Sequence, residues 1–71
     1  MAETPVPEYF SRLRTIRSAR GATDYINNKL NVPLAFHFVR AAAQRGELPN
    51  KKLGQALYFS EAEIYQWVRN L

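Results

Sequence analysis

The run Gly46-Glu47-Leu48-Pro49-Asn50-Lys51-Lys52-Leu53-Gly54-Gln55-Ala56-Leu57-Tyr58-Phe59-Ser60-Glu61-Ala62-Glu63-Ile64-Tyr65-Gln66-Trp67-Val68 decides the reading of this chain. Its second half predicts a helix. Ser60 and Glu63 have the spacing of a capping box, in which the serine hydroxyl caps one end amide and the glutamate bonds back. Ile64, Trp67, Val68 and Leu71 follow at i, i+3, i+4 and i+7, an apolar stripe for a core. Trp67 is its largest member and reads as packing. Ahead of the helix, Asn50–Leu53 and Ala56–Phe59 read as two short strands around Gly54-Gln55. A three-residue loop, Gly54 to Ala56, would place Leu53, Leu57 and Phe59 on one face, with Lys52 and Tyr58 pointing outward. A two-residue turn would split Leu53 from Leu57 and waste apolar burial, so the longer loop is expected.

Gly46 also ends whatever precedes it, because glycine suits the left-handed position after a helix. Working back, Pro33 is placed to open a helix running to Arg45. Asn31-Val32 makes a tight turn before it, and an earlier helix runs to about Leu30 with Ile26 and Leu30 inward. Thr23 is a possible cap for that helix and Ser18 a competing one. Residues 22–45 thus form two helices and a brief turn. Further back, Phe10, Leu13 and Ile16 recur at helical spacing among Arg12, Arg14 and Arg17. An extra amphipathic helix is expected from Glu8 to about Ala19, with Gly21 interrupting it. The whole of 1–71 reads as one domain: extension 1–19, helix pair 22–45, hairpin 50–59 and final helix 60–71.

The net charge is +4, unevenly spread. Residues 9–60 carry +7, from nine basic residues against Asp24 and Glu47, while the ends carry −3. A basic middle suggests a positive face for a polyanion. No cysteine is present, so no disulfide or cysteine-ligated metal staples the chain, which fits a reducing cytosol. The start lacks a secretory signal, and no apolar run reaches membrane-spanning length. There is no Ser/His/Asp set, phosphate loop or paired-carboxylate site, so no enzyme is expected. His37, the single histidine, makes a poor metal site, and no cofactor is expected.

The gapless block 46–68 resembles the MerR-like winged helix-turn-helix family, to which many phage excisionases belong. The resemblance implies a mainly α fold with a small β-hairpin. In it Gly46 ends the recognition helix, Glu47-Leu48-Pro49 turns the chain into the wing, Gly54 sits at the wing tip, and the helix containing Trp67 braces the wing. Residues 22–45 match more loosely: Asn31-Val32-Pro33 stands where the family has glycine-valine-serine. Size, charge and the final block together are similar to the excisionases of mycobacterial temperate phages, the directionality factors of site-specific recombination.

On the helix ending at Arg45, His37, Arg40, Ala41 and Gln44 share one face. Arg40 can bond guanine and Gln44 adenine bidentately, Ala41 lets the helix approach closely, and His37 can touch a phosphate or base. Lys51, Lys52 and Gln55 lie on the hairpin. Arg17 and Arg20 precede the first helix of the motif, an end that approaches the DNA backbone in this architecture. The resemblance implies double-stranded DNA, an integrase and further copies on adjacent sites as partners, in the cytoplasm of a bacterial host, at the nucleoid. The expected action is cooperative binding to repeated sites, DNA bending and direction of integrase toward excision. A small phage or bacterial transcription regulator, repressor or antitoxin-like, is the alternative, and a pure protein adaptor a third.

Overall fold

The computed structural model describes residues 7–71. In chain order the elements are β1 (Arg14–Arg17), α1 (Ser18–Asn28), α2 (Phe36–Gln44), β2 (Lys51–Leu53), β3 (Ala56–Ser60) and α3 (Glu61–Arg69). The strands form one antiparallel sheet in the order β1-β3-β2. The fold is therefore mixed α/β, with three helices and a three-stranded sheet. The core unites Ala22 and Ile26 of α1, Val39, Ala42 and Ala43 of α2, Leu48, Phe59 of β3, and Ile64 and Trp67 of α3.

The extra N-terminal helix is not formed. Phe10, Leu13 and Ile16 have helical spacing but separate destinations. The Phe10 ring stacks on Tyr65 at 4.6 Å, Leu13 is 71% exposed, and Ile16 pairs with Phe59 in the sheet. Strand β3 is paired with β2 on one side, and its other edge needs partners for its amides and carbonyls. The segment around the β-branched pair Thr15-Ile16 supplies them, with a bulge between Arg14 and Ile16. Three apolar residues are too few for periodicity to outweigh that demand.

The next helix consequently begins at Ser18 and runs through Gly21 and Thr23. Ser18, at φ 70, makes the capping bond itself: its hydroxyl oxygen accepts from the Gly21 amide at 3.2 Å. Thr23 is buried inside the helix, and its hydroxyl donates to the Ala19 carbonyl at 2.8 Å. Gly21 is an ordinary helical position. A methyl there would lie 3.5 Å from Ile16 Cγ2, normal van der Waals contact. Gly21→Ala is therefore expected to stabilise the domain by about 0.5–1 kcal/mol, read as a rise in Tm of roughly 2–8 °C.

The connection from α1 to α2 is longer than a tight turn, and Pro33 lies inside it. Asn31 takes φ 57, Val32 N donates to the Ile26 carbonyl at 3.1 Å, and Asn27 Oδ1 accepts from Leu34 N at 3.0 Å. These bonds hold residues 29–35 in an irregular path, and α2 starts only at Phe36. Its end is as expected. Gly46 at φ 81 closes it with paired bonds from Gly46 N to Ala43 O and Glu47 N to Ala42 O, at 3.2 and 2.9 Å. The Asn50 amide group then donates to the carbonyls of Ala43 and Leu48, fixing the entry to the hairpin.

The hairpin has a two-residue turn. Lys51 faces Tyr58, Lys52 faces Leu57 and Leu53 faces Ala56. Gly54, at φ 64, takes the first central position, where a tight hairpin turn accommodates glycine. Turn geometry thus overrides the apolar match, and Leu53 is left 53% exposed. Lys52 shares a face with Leu57, and Lys51 rather than Lys52 lies beside Tyr58.

Ser60 caps α3, accepting from Glu63 N at 3.1 Å. The return bond differs from a capping box, since Glu63 Oε1 accepts from the Ser60 hydroxyl at 2.9 Å. The same carboxylate takes a bidentate pair from Arg14, at 2.9 and 2.8 Å. Ile64, Trp67 and Val68 pack as expected, while Leu71 is 62% exposed. The Arg14 guanidinium holds the Glu63 carboxyl below its ordinary 4.5; the Ser60 hydroxyl helps, and partial burial opposes. A depressed folded pKa means stability that is present above the unfolded value and lost as pH falls through the folded one. Arg14 is more than a third exposed, so the pair is worth under about 1 kcal/mol. Wild type is expected to lose more stability than Glu63→Gln between about pH 5 and pH 3. Parallel stability curves would contradict this.

Candidate nucleic-acid interface

An open cleft of about 480 Å³ lies where the start of α1, one side of α2 and the hairpin meet. Arg17, Ser18, Ala19 and Arg20 line it from the β1–α1 junction, Phe36, Arg40 and Gln44 from α2, and Gln55, Ala56 and Leu57 from the hairpin. β1, α1 and α2 thus bring one arginine each to the cleft, and the hairpin adds Gln55 with small and apolar side chains. Among the described residues no carboxylate lines this cleft, whereas two other hollows carry two each, Asp24 with Glu61 and Glu47 with Glu63. Among the described residues the ion pairs are Arg14–Glu63 and Arg45–Glu47, and Asp24, one turn after Arg20 on α1, lines another hollow and pairs with none of the cleft arginines. Charge at the cleft is left uncompensated, a condition that favours a polyanion.

Five of the expected site residues meet here: Arg17, Arg20, Arg40, Gln44 and Gln55. Phe36, Arg40 and Gln44 stand at i, i+4 and i+8, one stripe along α2. His37 is exposed and Ala41 half-buried on the adjoining stripe, outside the cleft lining. The hairpin register puts Lys52 on the sheet face of Leu57, which lines the cleft, and Lys51 on the opposite face. Both lysines are exposed. Arg17 is at the rim, opposite Tyr58 in the ladder.

Phe36 is a cleft residue that the sequence reading did not single out. It is half-buried and lies under a cation, with the Arg20 guanidinium carbon 4.5 Å from its ring centroid. Its spacing to Arg40 and Gln44 was visible in the sequence; its pairing with Arg20 depends on how α1 packs against α2.

Among the described residues no group of three or more histidines and carboxylates could hold a metal ion, and no helix is long and apolar enough to cross a membrane. No family model matches the chain, and neither a curated protein nor a solved structure shows significant similarity to it.

Proposed function

We propose that this chain is a non-enzymatic, sequence-specific DNA-binding protein of winged helix-turn-helix type, with α1 and α2 as the helix pair and β2–β3 as the wing. The observation that carries the reading is the cleft, where Arg17, Arg20 and Arg40 converge from β1, α1 and α2 with no carboxylate among the described residues that line it. Arg40 and Gln44, both exposed on α2, have the donors that read base edges in a major groove. Gln55 and Lys52 on the hairpin, with Arg17 and Arg20, are placed to engage the flanking backbone.

Within that class we propose an excisionase, on the resemblance of residues 46–68. A single module of this size buries only roughly 600–1,000 Å² of its surface on DNA. Additional affinity then comes from copies on neighbouring sites and from contact with integrase. Side-by-side copies repeat one contact and build an open array, and following one face of the duplex bends it at a cost of about 1–6 kcal/mol.

The test is footprinting on the attachment DNA, followed by recombination with purified integrase, with and without this protein. Adjacent protected sites, stimulated excision and inhibited integration are expected. Occupation of a single inverted repeat as a stable dimer, with recombination unchanged in both directions, would identify a transcription regulator instead.

A further inference from the structure

We infer that Phe36 is a positioning residue that holds Arg20 ready for a phosphate of the DNA backbone. The inference rests on the proposed DNA-binding role of the cleft. Arg20 is exposed and has no ion-pair partner among the described residues, yet its guanidinium carbon lies 4.5 Å from the Phe36 ring centroid. A free arginine on a helix surface samples many rotamers, and binding must first suppress them. The guanidinium carbon lies over the ring, and a guanidinium is weakly hydrated and stacks well on aromatic rings. Its N–H donors lie in the plane of the group and stay available at the edge. A phosphate can therefore be bound without breaking the stack. Phe36 opens α2, one turn before Arg40, and lines the cleft together with both arginines.

The experiment is a two-by-two cycle of Phe36→Leu and Arg20→Ala, read by fluorescence anisotropy on a short random-sequence duplex at fixed salt. Phe36→Leu is expected to weaken binding about two- to five-fold in the wild-type background. In the Arg20→Ala background it is expected to change nothing, while Phe36→Tyr retains wild-type affinity. Equal losses in both backgrounds, or no loss in either, overturn the inference. Absence of salt-dependent binding by wild type defeats the DNA-binding reading itself, a separate outcome. Arg20→Lys keeps the charge but loses the planar stack and the forked edge. It is expected to weaken binding by a similar factor, and it decides the matter if Phe36→Leu does not fold; wild-type affinity for Arg20→Lys also overturns the inference.

Discussion

Replacing Trp67 by alanine is expected to unfold the domain rather than to weaken one contact. Trp67 is 9% exposed and belongs to the core cluster with Ile64, Phe59 and Leu48. Its ring also lies 5.9 Å from that of Phe38, which ties α3 to α2. Truncating a buried aromatic costs about 3–5 kcal/mol, part lost burial and part cavity. A core in a 71-residue chain supplies a net stability of about the same size. The cost therefore consumes the whole margin. Circular dichroism should show a disordered chain at 25 °C, with no cooperative thermal transition. A transition within a few degrees of wild type would mean that α2 and α3 are held together by other contacts.

Binding to duplex DNA is expected to collapse with salt. Arg17, Arg20 and Arg40 converge at the cleft, and exposed Lys52 shares the hairpin face of Leu57, which lines it. Four cations on as many phosphates give a log–log slope of about −3.6. Between 50 and 200 mM salt, affinity should then fall by about 10²-fold. The loss reflects the counterions that the bound cations displace from the duplex. A flat titration would remove the DNA-binding reading.

The parts of this fold set by local chemistry were legible in the sequence. Gly46 closes α2, Ser60 caps α3, and Ile64 and Trp67 enter the core, because each depends on residues within one or two turns. The parts set by distant partners were not. Nothing near Ile16 announces that its partner is Phe59, so β1 reads as a helix from within its own window. Pro33 is a good first helical residue, but Asn27 and Ile26 hold the chain around it in another path. In the hairpin, two rules conflicted: side-chain burial favoured a longer loop, and Gly54 allowed a tight turn at the expense of Leu53. The candidate interface followed the same division. The stripe Arg40–Gln44 came from helical spacing, whereas the Arg20–Phe36 stack required the packing of two helices.

The late closure of β1 has a consequence for the chain while it is being made. Its ladder partner is β3, and Ser11 and Arg14 bond Glu61 and Glu63 across 50 and 49 positions. At about 5–20 residues per second, synthesis leaves β1 waiting roughly 3–10 s for those partners. During that interval its amides are open to the same segment of another nascent chain. Arg12, Arg14 and Arg17, spaced through and beside the strand, make such a pairing repulsive, because like charges would face one another. Arg14 thus serves twice, first as a guard against aggregation and then, once Glu63 exists, as a latch.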